Sequence, residues 1–290
     1  MLDEVLVPPP EAGRVFRAGR RVRLADADPT GRLRLDACAR YLQDIGNDDT
    51  AESGIDDPAT TWVARRAVID VHRPPVWQEW LGLATWCGGT GGRWAERRLA
   101  LAGERGGRVE IATLWVHVDV TTMAPARLPE AFVAAYASAA GGRRVSSRRW
   151  LDGPPPPGPA VATRAWPLRA VDVDLLGHVN NAAYWAAVEE LLLGGPAGSA
   201  SEEPAPDGPA PGAARHPLLA APHRAVIEYG AGIAPGAPVE LVTMSSPGRV
   251  SVWFTVAGTA HATATVGPLP DGGSVPHGRL RARGGRSGLD

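Results

Sequence analysis

Asp174 and His178 stand four residues apart around Gly177, and a segment of helical periodicity begins immediately afterwards. Tyr184, Val188, Leu191 and Leu192 supply the apolar face of that segment, while Asn180 and Asn181 offer N-cap chemistry at its start. A carboxylate and an imidazole are thus held beside a helix N-terminus, whose unpaired N–H groups and partial positive charge suit an oxyanion. The chemistry this favours is attack on an acyl carbonyl, with backbone N–H groups around Gly177, Val179, Asn180 and Asn181 receiving the developing charge. In a base route, Asp174 or His178 takes the proton of an attacking water. In a covalent route, Asp174 attacks first and water then frees the acyl group. A histidine of ordinary pKa, near ~6.5, titrates in the useful range, whereas an aspartate near ~3.9 needs desolvation to become a strong base. The reading therefore takes His178 as base or orienter beside an essential Asp174. Neither route calls for a metal or a cofactor.

The full pattern Asp174-x-x-Gly177-His178-Val179-Asn180-Asn181-x-x-Tyr184, with Glu189, resembles the signature of hotdog-fold thioesterases. The first-half segments PTGRLRLDACARYLQDIGNDD, WVARRAVIDV and RWAERR extend the likeness. With them, most of residues 14–267 resembles the acyl-acyl-carrier-protein thioesterases, which carry two hotdog units in one polypeptide. That resemblance implies a tandem α+β fold, each unit a central helix wrapped by a curved antiparallel sheet. It also implies hydrolysis of a fatty acyl thioester on acyl carrier protein, with the same reaction on acyl-coenzyme A as the near alternative. A non-catalytic acyl-binding protein and a hydratase are further readings. Two departures bear on the site. Leu176 occupies the place of an asparagine in the plant-type pattern, and a family Glu-Cys pair would fall near Gly232 and Ile233, whose side chains cannot do that chemistry.

Duplication supports two units. Arg66-Ala-Val-Ile-Asp70 recurs as Arg224-Ala-Val-Ile-Glu228, and Asp28-x-x-Gly31-Arg32-Leu33 as Asp174-x-x-Gly177-His178-Val179. The matches are collinear, and their offsets differ by an insertion between the second helix and its next strand. Ala102-Gly103 and Ala257-Gly258 close a hairpin in each half. The first half has Arg32 where the second has His178, so one site per chain is expected, in residues 161–270, with the unit at 1–140 shaping the acyl tunnel. A proline-rich spacer at 141–160, an inserted loop at 195–217 and a disordered glycine- and arginine-rich tail at 271–290 complete the division.

These sites need particular elements. A helix from about Asp36 to Ala51, capped by Asp36, would bury Cys38, Tyr41, Leu42 and Ile45. Strands are predicted at Trp62–Val71, Trp80–Cys87, Arg93–Ala102 and Val109–Asp119, then at Ala165–Val171, His223–Glu228, Val239–Met244, Val250–Ala257 and His261–Val266. Glu189 and Glu190 read most simply as a solvated helix face, and Trp62, Trp77, Trp80, Trp86, Trp94 and Trp115 as core or pocket wall. Arg143, Arg144, Arg148 and Arg149 could meet an acidic carrier, though a solvated linker is the simpler reading.

At 290 residues, 44% hydrophobic and 21% charged, the chain has globular composition. A net charge of −1 gives no mandate for nucleic acid or for bulk attraction to a membrane. All 30 basic residues are arginine, which reflects coding bias more simply than arginine chemistry. Two cysteines are too few for a disulfide framework, and no basic, apolar leader or membrane-length apolar run is present, so a cytoplasmic protein is expected. Exposed sheet edges could still support a homodimer.

Overall fold

The duplicated segments Arg66–Asp70 and Arg224–Glu228 are the seam of the molecule. In the computed structural model, which describes residues 4–55, 57–151, 153, 158, 161–194, 216–220 and 222–270, they lie side by side as antiparallel strands. Val68 faces Val226 at the centre, flanked by Arg66 opposite Glu228 and Asp70 opposite Arg224. Each half thus lends one cation and one anion to the other. Both Arg224–Asp70 hydrogen bonds measure 2.6 Å, and the Arg66–Glu228 pair is looser at 3.5 Å.

From that seam the two halves run outwards in matching order. The first unit contains β1 (Val15–Arg21), α1 (Leu35–Ser53), β2 (Thr60–Arg73), β3 (Trp80–Thr90), β4 (Trp94–Gly103), β5 (Arg108–Asp119) and the short α2 (Glu130–Tyr136). The second contains β6 (Val161–Trp166), α3 (Asn181–Leu192), β7 (His223–Tyr229), β8 (Val239–Ser246), β9 (Arg249–Val256) and β10 (Thr259–Pro268). The ten strands among the described residues form one sheet, β1-β3-β4-β5-β2-β7-β10-β9-β8-β6, whose named pairs are antiparallel. Helices α1 and α3 pack on the same face of it.

Strand alternation explains the single core. Inward residues such as Ile69, Leu99, Ile111, Ile227, Val252 and Ala264 pack in one cluster with Leu42 and Ile45 of α1 and Trp185 and Val188 of α3. Burial of this apolar surface, at roughly 25 cal/mol per Å², is what holds the two helices against the sheet.

Several boundaries differ from expectation. Asp36 does not cap α1: the N-cap residue is Arg34, and Asp36 sits in the first turn, bridged to Arg34 at 2.8 Å and Arg40 at 2.5 Å. The strand expected at Ala165–Val171 is β6 at Val161–Trp166, because residues 170–172 turn in a 3-10 helix before the Asp174 loop. The α2 helix had no counterpart in the sequence reading. The segment 143–151 does not stand off in solvent. It crosses the outer face of the sheet, where the carbonyls of Ser146 and Arg148 accept from Arg66, and Trp150 and Leu151 donate to Glu228. Arg143 is consumed in pairs with Glu4 and Glu96. The proposed tail at 271–290 and nearly all of the 195–217 insertion lie outside the described residues.

Candidate active site

Two loops of the same construction precede the two long helices. In the first, a 3-10 turn at Leu24–Asp26 leads to Asp28, whose N–H donates to the Arg32 carbonyl at 2.8 Å and whose carbonyl accepts from Gly31 at 2.8 Å. In the second, a 3-10 turn at Ala170–Asp172 leads to Asp174, bonded in the same way to His178 at 2.9 Å and Gly177 at 3.0 Å. Gly31 and Gly177 both adopt left-handed φ values, +83° and +74°, which a side chain would strain. The loops thus place Asp28 and Asp174 equivalently, ahead of α1 and α3.

Their carboxylates have different company. Asp28 is 6% exposed and accepts from Thr30 N and Oγ1, Arg32 N and Arg32 Nε at 2.7–3.1 Å. Burial alone would raise its pKa, but those hydrogen bonds and the Arg32 charge win and hold it below the usual carboxylate value. Arg32 also pairs with Glu189 of α3, whose other oxygen accepts the Leu35 N–H at 2.9 Å and so caps α1. Glu189 is 1% exposed, so the solvated-face reading fails for it; Glu190 does face solvent. A buried carboxylate beside a buried arginine is stable only as this paired set, which leaves Asp28 no room for chemistry.

Asp174 is half-buried, and a hydrogen bond from Leu176 N at 2.9 Å is the one its carboxylate receives among the described residues. It lines a cleft of about 520 Å³ together with Asn180, Asn181 and the loop tip Leu175–Leu176. Leu175 is 97% exposed, marking this end as the mouth. From there the cleft follows α1 past Gln43, Gly46, Asn47 and Thr50. Its other walls include Trp62, Trp86, Trp115 and Phe132, so three of the six tryptophans singled out in sequence are pocket wall, while Trp77 and Trp80 remain partly exposed.

His178 is not brought to the cleft. Its ring is exposed and lies against Gly232, where an added Cβ would come within 2.6 Å of Cδ2. The position at which the plant-type pattern has its Glu-Cys pair is therefore adjacent to the histidine, but Gly232 offers no side chain to orient it. Backbone and side chain divide here: the His178 carbonyl fixes the Asp174 loop, while its imidazole stands outside the lining.

The four backbone donors also separate. Gly177 N donates to Asp174 O, Val179 N to Ile233 O at 3.1 Å, and Asn180 N to Asp172 O at 2.8 Å. Asn180 caps α3, its Oδ1 accepting Ala182 N at 2.9 Å. The Asn181 N–H, at the first position of α3, has no acceptor among the described residues, as expected of a helix N-terminal donor open to a ligand. Gln43 was missed in the sequence. It reaches across from α1 so that its Nε2 lies 3.4 Å from Asn180 Oδ1. The signal was available, because Gln43 precedes Glu189 by the same interval that separates Asp28 from Asp174.

Other nucleophile and metal chemistries find less support. Cys87 lines the cleft, but burial raises its pKa and keeps a thiol rather than a thiolate; Cys38 is buried and pushed up to about 12. On the sheet's outer face, ligand atoms of Asp70, His72 and Glu110 lie within 4.8 Å of one another. Arg224 and Arg108 already neutralise that cluster's carboxylates.

Two helix-bearing units joined through one continuous antiparallel sheet, with a single open Asp-loop, define a double hotdog protein of the thioesterase class. Residues 13–136 match the acyl-ACP thioesterase N-terminal domain. Over 263 residues the chain is 32% identical to uncharacterized proteins of two Mycobacterium tuberculosis strains, covering 91% of this chain and 96% of theirs. Similar solved structures are the 12:0-ACP thioesterase from Umbellularia californica, with TM-score 0.66 and 17% identity over 88% of this chain and 97% of that one, and an acyl-ACP thioesterase from Bacteroides thetaiotaomicron, with TM-score 0.64 and 17% identity over 87% and 97%. The chain belongs to the acyl-ACP thioesterase family, whose members hydrolyse thioesters. No described helix is long and apolar enough to cross a membrane.

Proposed function

We propose that the protein hydrolyses fatty acyl-acyl-carrier-protein in the cytoplasm, releasing free fatty acid and ending chain growth in fatty acid biosynthesis. Acyl-coenzyme A is the alternative carrier. The observation that supports this most is the position of Asp174: a loosely held carboxylate at the mouth of a cleft that runs along α1, next to the unbonded N–H of Asn181.

In this reading the acyl chain lies in the cleft and its thioester carbonyl points at the start of α3. Asn181 N–H donates to the carbonyl oxygen, where negative charge grows as the tetrahedral intermediate forms. Asp174 either removes a proton from the attacking water or attacks the carbonyl carbon itself to give a mixed anhydride that water then hydrolyses. In both routes the C–S bond breaks and the leaving thiolate takes up a proton, from Asp174 in the first and from solvent in the second. A thioester is electrophilic enough for one carboxylate and one preset donor to act on. We assign His178 the orienting role, through its carbonyl bond to Asp174 N, with the exposed imidazole at the rim. Gln43 fixes Asn180 and hence the first turn of α3.

Thiol release from a panel of acyl-carrier-protein and acyl-coenzyme A substrates tests the proposal, with Asp174→Ala as the control. Absence of turnover on every acyl length, with acyl binding retained, would leave a non-catalytic binding protein, a reading that the bare Gly232 opposite His178 favours. Water addition to enoyl thioesters without thiol release would indicate a hydratase.

A further inference from the structure

Polar groups interrupt the inner part of the cleft. His117 of β5 lines it and is only 3% exposed. Its Nδ1 lies 2.9 Å from the Arg127 carbonyl, which can only accept, so Nδ1 carries a proton and, in the tautomer this bond selects, Nε2 presents a lone pair. Nε2 has no donor among the described residues. Trp62, at 4.9 Å between ring centroids, and Phe132 beyond it surround this acceptor with aromatic surface. A wall meant only for methylenes would leave a buried acceptor unpaired each time a chain entered.

The depth of this group can be placed on α1. Gln43 marks the Asp174 end through Asn180, and Trp62 clusters with Ile55 just beyond the helix's other end. From Gln43 to Thr50, seven residues, the helix rises about 10 Å. Arg97 forms a second polar station between them. Its guanidinium passes over Gly46, where an added Cβ would lie 3.6 Å from Nε, and Nη1 is held by Asp49 at 2.6 Å. Arg97 Nε and Nη2 have no acceptor among the described residues. Arg14 also binds Asp49, and Asp44 and Asp57 border the cleft, so the surroundings are balanced in charge and give no preference for a second carboxylate.

We infer that the acyl group this site takes is oxygenated, with a hydroxyl at its distal end that donates to His117 Nε2. The hydroxyl is the group that fits, because a ketone or ether has no proton to give to the Nε2 lone pair. Arg97 offers donors to an oxygen nearer the thioester. This inference rests on the thioesterase reading and names its substrate class.

The test uses the full chain and a hexanoyl-to-dodecanoyl series of thioesters on acyl carrier protein and on coenzyme A, each with and without an ω-hydroxyl, followed by thiol release. At the length that reaches His117, the ω-hydroxy substrate should exceed its plain counterpart by about tenfold or more in kcat/KM. His117→Phe should erase that preference, and His117→Gln, which keeps an acceptor, should retain part of it. Plain chains handled equally well or better at every length would overturn the inference while leaving the thioesterase reading intact. If no thioester is cleaved, that reading fails, and binding of the free acids followed by tryptophan fluorescence decides the inference separately. Tighter binding of the ω-hydroxy acid, lost in His117→Phe, upholds it, and equal binding sinks it.

Discussion

The Asp28 and Asp174 loops share backbone geometry and differ in what holds the carboxylate. Asp28 is buried and bound by four donors, and its partner arginine is locked to Glu189 from the opposite unit. Among the described residues Asp174 receives one donor, and it faces a cleft. The first loop is also clamped from outside: Trp77 N donates to Gly31 O at 2.7 Å and Leu33 N to Pro75 O at 2.8 Å, whereas among the described residues the second loop has the equivalent of the latter bond alone, Val179 N to Ile233 O. A duplicated unit has thus turned one carboxylate into a structural brace and kept its twin available. Each loop also depends on a residue from the other unit, Glu189 in one case and Gln43 in the other, so separating the halves would disable both.

Exchanging the roles of the two aspartates is the strongest way to break this comparison. Asp174→Ala should lower kcat/KM by ~10²–10⁴-fold with an unchanged melting temperature, as thiol release and thermal unfolding would report. Asp28→Ala should do the reverse, losing about 3 kcal/mol of stability in urea unfolding while the folded fraction keeps most of its activity. Equal activity losses would mean that the silent unit is misassigned. Next in size, Gln43→Glu gives the open loop the carboxylate that Glu189 supplies to the closed one. The added negative charge beside the site should move the acid limb of the rate profile upwards by about 1 unit. An unmoved limb would separate Gln43 from the site. His178→Ala should cost less than about tenfold in kcat/KM, since its carbonyl remains; a loss as large as that of Asp174→Ala would restore the imidazole as base.

The smallest effect is on acid stability. Because the folded pKa of Asp28 lies below its ordinary value, its stabilisation is complete above that ordinary value and drains as pH falls through the depressed one. Asp28→Asn should flatten this acid-side slope in unfolding curves, and an unaltered slope would mean that the brace is electrostatically idle.

Much of this arrangement was readable from local pattern. The strands in β2–β5 and β7–β10, the cap at Asn180 and the repeat that becomes the β2–β7 seam all depend on residue type at short spacing, which the sequence carries directly. Glu189 and Gln43 were not readable as site residues because their partners lie on the other unit: helical periodicity places a polar residue on a face but cannot say which N-terminus that face meets. The same limit applied to Asp36, a good N-cap by type that the start of α1 at Leu35 moved inside the helix.

The sequence by itself determined that the chain holds two copies of one unit and that the second copy carries an aspartate ahead of a capped helix, because both facts are matters of order and spacing along the chain. Tertiary structure decided which carboxylate is free, which backbone N–H is left to meet a carbonyl, and where the imidazole points. Those outcomes depend on hydrogen bonds and burial supplied by distant segments, and a donor already occupied across the seam looks no different in sequence from one that is open.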